Sequence, residues 1–121
     1  MLRDGNGGFK KVIIRAGRTD MRRGIDGLVS IIRLEYGIDP LEEGTLFLFC
    51  GRKRSSIKGI IFDGDGFIML TKRLLNGSYQ WPRNTDEAMS LSKEEFKLLM
   101  EGFTIHSSIQ KYERIKSEEI L

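Results

Sequence analysis

The sequence predicts an α+β fold: a single domain in the order strand, helix, antiparallel four-stranded meander, helix. Three observations carry this. Met21, Ile25, Leu28, Val29, Ile32 and Tyr36 recur at helical spacing. Apolar runs at 45–50, 57–62 and 67–75 are separated by connectors short enough for hairpins. Phe96, Leu99, Met100 and Phe103 form a second helical stripe. A chain of 121 residues is expected to build one core.

Residues 1–10 read as a flexible leader, 11–103 as the core domain, and 104–121 as a C-terminal helix or loose tail. Lys11 to Arg15 is a short strand, followed by a turn at Ala16-Gly17-Arg18-Thr19. Thr19 or Asp20 is the expected N-cap of the first helix, since either side chain can accept from its free amides. Gly37 supplies the left-handed stop, and Pro40 prevents resumption. Gly24 and Gly27 each cost this helix up to about 1 kcal/mol relative to Ala. The expected compensation is close approach of helix to sheet.

Asp63-Gly64-Asp65-Gly66 is a turn, built from residues that tolerate positive φ. Asn76-Gly77 is the strongest hairpin signal in the chain. It is expected to return the backbone into a fourth strand at Ser78-Tyr79-Gln80-Trp81, which Pro82 ends. Several strands are apolar on both faces, so each face needs a cover. The first helix covers one. The C-terminal helix or a second subunit covers the other, which makes a homo-oligomer an expectation. Ser92 to Glu95 has capping-box spacing.

Composition narrows the function. No apolar run has transmembrane length, and the N-terminus lacks the apolar stretch of a signal peptide. One cysteine, Cys50, excludes an internal disulfide framework and fits a reducing cytoplasm; at the end of an apolar strand it is expected to be buried. The single His106 stands far from Cys50, and no phosphate-loop spacing is present. Asp20, Asp26, Asp63 and Asp65 suit caps and turns better than a two-metal cluster. No catalytic residue, metal or cofactor is therefore assigned, and the chain reads as non-enzymatic.

The net charge of +3 is unevenly spread. Residues 1–83 hold 15 Lys and Arg against 9 Asp and Glu, whereas 84–121 hold 5 against 8. Arg15, Arg18, Arg22 and Arg23 surround the start of the first helix. A phosphate backbone rewards such clusters through counterion release, and forked guanidinium donors suit its oxygens. The residues expected to contact phosphate are Arg22, Arg23, Arg52, Lys53, Arg54, Lys58, Lys72 and Arg73. A solvated, salt-bridged face is the structural alternative. No recognition-helix pattern points to base reading. Tyr79 and Trp81 are candidate stacking or interaction residues, with core packing as the other fate.

From Thr19-Asp20-Met21-Arg22-Arg23-Gly24-Ile25-Asp26-Gly27-Leu28 the chain resembles a known family. The likeness continues through Leu46-Phe47-Leu48-Phe49, Gly51-Arg52-Lys53, Ile57-Lys58, Asp63-Gly64-Asp65-Gly66-Phe67, Lys72-Arg73-Leu74 and Gly77-Ser78-Tyr79-Gln80-Trp81-Pro82. It resembles the TnpB-type accessory protein, the second open reading frame, of bacterial insertion sequences of the sixty-six type. Phe62 stands where that family often has Trp. The resemblance implies a small protein needed for efficient transposition, encoded beside a separate transposase that carries the chemistry. DNA at the transposon ends is the expected partner. The alternative is an adaptor that docks on the transposase or a sister accessory protein, for which the acidic C-terminal part and Tyr79 and Trp81 are the motive. No membrane partner is expected.

Overall fold

The computed structural model describes residues 8–83 and 88–102. The expected leader up to Gly7 and the tail, with Phe103 and His106, lie outside them. The elements are β1 (Lys11–Arg15), α1 (Ile25–Ser30) running into a π-helical turn (Ile31–Glu35), β2 (Thr45–Cys50), β3 (Ser56–Phe62), β4 (Phe67–Arg73), β5 (Ala88–Leu91) and α2 (Lys93–Met100). The strands form one sheet in the order β4-β3-β2-β1-β5. β2, β3 and β4 are an antiparallel meander, β1 and β2 are parallel across the α1 crossover, and β5 runs antiparallel to β1. The α+β class holds.

The meander has three strands, not four. Gly77 takes a φ of +79°, as a turn requires, but the chain after it does not pair along β4. Instead it crosses the end of the sheet. The Tyr79 amide donates to the Arg54 carbonyl at 2.7 Å, and the Trp81 indole Nε1–H donates to the Arg15 carbonyl at 2.8 Å. Both rings become core, at 0% and 3% exposure. Two large aromatic side chains two residues apart gain more from that burial than from an edge strand, where one face would stay wet. The remaining antiparallel strand is β5, on the far edge beside β1, where the sequence reading places none.

Helix α1 starts later than expected. Gly24 occupies its N-cap position without a side-chain cap. Asp20 instead accepts from the Arg22 amide at 3.0 Å, closing a local turn, and the Thr19 amide donates to the Cys50 carbonyl at 2.8 Å. The segment before α1 is thus committed to the end of β2, not to the helix. Gly37, with φ at +63°, stops the helical run as expected: its amide donates to the Arg33 carbonyl and that of Ile38 to the Ile32 carbonyl. Gly24 and Gly27 do not serve helix–sheet approach. A Cβ on Gly24 would meet nothing within 4 Å, and one on Gly27 would first meet the side chain of Arg23, not the sheet.

The sheet has a core on each face. Ile13, Phe47, Phe49 and Ile60 pack with Leu28, Val29, Ile31 and Ile32 on one side. Val12, Ile14, Leu46, Leu48, Cys50 and Ile57 pack with Tyr79, Trp81, Phe96, Leu99 and Met100 on the other. The second cover comes from the chain itself, which removes the motive for a second subunit. The expected capping box holds α2 in place: the Glu95 amide donates to Ser92 Oγ at 3.1 Å, and the Ser92 amide to Glu95 Oε1 at 2.9 Å. Such a cap contributes about 1 kcal/mol. Cys50 is buried as expected, and burial pushes its thiol up to about 11.

Candidate functional site

The end of β2 sets up a cleft. Gly51 follows Cys50 at a close approach: a Cβ there would lie 2.5 Å from Met21 Cγ, so any other residue forces the Met21 side chain to move. Arg54 then adopts a left-handed φ of +54°, and its amide donates to the Gly51 carbonyl at 3.3 Å. Neighbouring segments occupy the carbonyls of the β2–β3 connection from outside. Thr19 N donates to Cys50 O, Tyr79 N to Arg54 O and Leu74 N to Ser55 O. Arg83 Nη2 donates to Gly51 O at 2.7 Å and to Arg52 O at 3.1 Å. With the Gly51, Arg52, Arg54 and Ser55 carbonyls so engaged, the connection leaves Arg52, Lys53 and Arg54 exposed to solvent.

The cleft lies between this connection and the turn after β1, with a volume of about 640 Å³. Arg18, Arg22, Arg52, Lys53, Arg54 and Arg73 line it, with Thr19, Asp20, Met21, Ser55 and Ser56. Asp20 is its one acid among the described residues. It pairs with Arg22, Nη2 to Oδ2 at 2.9 Å, and that guanidinium holds its carboxyl well below the usual carboxylate range. Arg18, Arg52, Lys53, Arg54 and Arg73 have no carboxylate partner among the described residues. Five uncompensated cations on one concave surface give a field that concentrates anions.

Of the eight residues expected to contact phosphate, the structure brings five together: Arg22, Arg52, Lys53, Arg54 and Arg73. Three are elsewhere. Lys58 Nζ donates to the Arg23 carbonyl at 2.9 Å, so Lys58 ties β3 to the segment before α1, and neither residue lines the cleft. Lys72 stands opposite Ile57 in the β3–β4 register, and strand alternation puts it on the face away from Arg73. Tyr79 and Trp81 are core residues and present no surface for stacking or docking. That corrects their expected interaction role. Outside the expected set, Arg18 lines the cleft, and Arg83 braces its wall from behind through the Gly51 and Arg52 carbonyls without lining it. Arg18 stood among the basic residues noted near the first helix. Arg83 had no sequence signal, because its position depends on the crossing of 79–83.

Asp63 and Asp65 form the expected tight turn: the Asp63 amide donates to the Gly66 carbonyl and the Asp65 amide to the Asp63 carbonyl, both at 2.8 Å. Among the described residues no three His, Cys, Asp or Glu side chains gather as a metal site, and no helix is long and apolar enough to cross a membrane.

The comparisons agree with the motif pattern. A family model described as IS66 Orf2 like protein matches residues 10–110. The chain is 37% identical over 92 residues to Uncharacterized protein y4hO of Sinorhizobium fredii, a match covering 76% of this chain and 79% of that one. It is 34% identical over 92 residues to Uncharacterized protein y4jC of the same organism, covering 76% and 78%. No solved structure matches. By sequence motifs, family match and relatives together, the chain belongs to the IS66 Orf2-like family of insertion-sequence accessory proteins.

Proposed function

We propose that this chain is a non-catalytic accessory factor in DNA transposition that holds the phosphate backbone of the element's DNA in its basic cleft. The observation that carries this is the convergence of Arg18, Arg52, Lys53, Arg54 and Arg73 around a space whose one acid among the described residues is already paired. Backbone contact, not base reading, fits the site. Arginines on turns reach phosphates, α1 is only 6 residues long and packs on the sheet, and no aromatic ring among the described residues lines the cleft. Family membership supports the setting, since a transposition accessory works beside the element's ends.

The adaptor reading has lost Tyr79 and Trp81 as exposed anchors and rests on the acidic C-terminal part alone. Fluorescence anisotropy with labelled duplex from a transposon end, across a salt series, tests the proposal. Binding that weakens steeply with salt is expected. No binding at low salt, with retention of the transposase from nuclease-treated lysate, would move the function to the adaptor.

A further inference from the structure

Both faces of the sheet are covered by the chain itself, but one of its edges is open. Among the described residues no strand pairs with the far side of β4, whereas the opposite edge, β5, is only 4 residues long. β4 keeps an unbroken register with β3, from Phe62↔Phe67 to Ser56↔Arg73, with no bulge. The Leu74 amide donates to the Ser55 carbonyl and the Asp63 amide to the Gly66 carbonyl, both at 2.8 Å, and these bonds fix the phase of the ladder. Bonded and non-bonded pairs alternate along an antiparallel ladder. Ile68, Leu70 and Lys72 therefore turn their backbone groups toward β3, and Phe67, Met69, Thr71 and Arg73 turn theirs outward. Natural sheet edges are blunted by charge, proline or a bulge. Phe67-Ile68-Met69-Leu70-Thr71 has none of these, and Ile68 is 42% exposed.

We infer that β4 is a docking edge for a second copy of this chain, joined antiparallel about a two-fold axis at Leu70. The charge along the strand selects this occupant and its direction. One end of β4 adjoins the acidic turn with Asp63 and Asp65, and the other carries Lys72 and Arg73. Antiparallel self-pairing sets the acidic end of each copy beside the basic end of the other, whereas a parallel arrangement stacks like on like. The phase of the ladder agrees. With Leu70 opposite Leu70 of the second copy, Met69 meets Thr71 and Phe67 meets Arg73, and these are the residues whose amides and carbonyls point outward. Each such pair exchanges its hydrogen bonds across the joint. On the alternate positions Ile68 comes opposite Lys72 of the second copy, whose methylene stem covers the exposed isoleucine. The two-fold makes every contact twice. The joint is an edge and not a face, so it belongs with small, weak interfaces. The pairing does not depend on what the cleft binds.

The test uses the intact protein in sedimentation equilibrium, with amide hydrogen exchange as a second readout. Wild type is expected to pass from monomer to dimer as its concentration rises to about 1 mM. Over the same range the Met69 and Thr71 amides should gain protection, while the Leu70 amide, already bonded to β3, stays protected throughout. Thr71→Pro removes only an outward amide and Ile68→Lys changes an exposed side chain, so both keep the β3–β4 ladder. Amide NMR spectra check their folding. Ile68→Lys sets a like charge opposite Lys72 of the second copy, and each of the two variants is expected to raise the dimer Kd about tenfold. Ile68→Lys/Lys72→Glu restores an opposite-charge pair in this register and should return to within about threefold of wild type. Failure of that rescue, or a wild-type dimer indifferent to Thr71→Pro and Ile68→Lys, would overturn the pairing. A wild type that stays monomeric to about 1 mM would overturn it as well. Outward amides protected in that monomer would then mean that another segment of the chain holds the edge. Assembly beyond a dimer would also overturn it, because a two-fold joint on this one edge closes.

Discussion

The indole nitrogen of Trp81 donates to the carbonyl of Arg15 at 2.8 Å, across 66 positions of sequence. This bond pins the segment 79–83, which crosses the end of the sheet, to the last residue of β1, directly before the turn that forms one wall of the cleft. Trp81→Phe removes the donor to a part-buried carbonyl, at a cost of about 1 kcal/mol. Trp81→Ala adds a cavity and should cost about 3–5 kcal/mol. Urea denaturation with an unchanged m-value checks both. A Phe variant as stable as wild type would show that the bond contributes nothing net.

Gly51→Ala should destabilise by about 1–3 kcal/mol, because the added methyl collides with Met21 Cγ at 2.5 Å. The obstacle is a flexible side chain, so shortening it should help. The double variant Gly51→Ala/Met21→Ala is expected to be more stable than the sum of the two single losses. A double-mutant cycle measures the coupling; strict additivity would mean that the two residues do not meet.

Alkaline stability follows from Cys50 and Tyr79. Burial moves the Cys50 thiol from its ordinary 9.0 up to about 11 and the Tyr79 phenol from 10.0 up to about 12. Both folded-state values are raised, so the native state holds these protons more tightly than the unfolded chain. Their contribution is complete below pH 9 and is lost as pH climbs through the raised values. Cys50→Ala should flatten the loss that begins near pH 9, and adding Tyr79→Phe should flatten the remainder above pH 10. Tyr79→Phe should cost nothing at neutral pH, because the buried Tyr79 hydroxyl has no hydrogen-bond partner among the described residues. Thermal melts from pH 7 to 11 read both effects. A slope unchanged by either variant would contradict them.

Asp20→Asn should tighten polyanion binding. It removes the one acid that lines the cleft among the described residues, frees the Arg22 guanidinium from its ion pair and keeps an oxygen for the Arg22 amide. One more available cation should steepen the salt dependence of duplex binding by about 1 in log–log slope. Anisotropy at several salt concentrations measures it. Weaker binding by the Asn variant would mean that Asp20 positions Arg22 for the contact, so that the ion pair is part of the site.

Local physics was legible in the chain. The strand at Lys11–Arg15, the strand at Thr45–Cys50, the Ser92 capping box, the Gly37 stop and the turn at Asp63–Gly66 each depend on residues within a few positions of one another. Two-faced apolar strands announced a covered sheet, and spacing alone placed most of the basic residues that reach the cleft. The tertiary structure decided which cations meet. Strand alternation separates Lys72 from Arg73, while Arg83 arrives from 31 positions beyond Arg52 because Tyr79 and Trp81 gain more in the core than on an edge strand. That same burial ended the meander at β4 and left the place beside β1 to β5. Hairpin signals encode a change of direction; what the chain then pairs with depends on the apolar surface it can bury, and that surface is assembled only when distant segments pack.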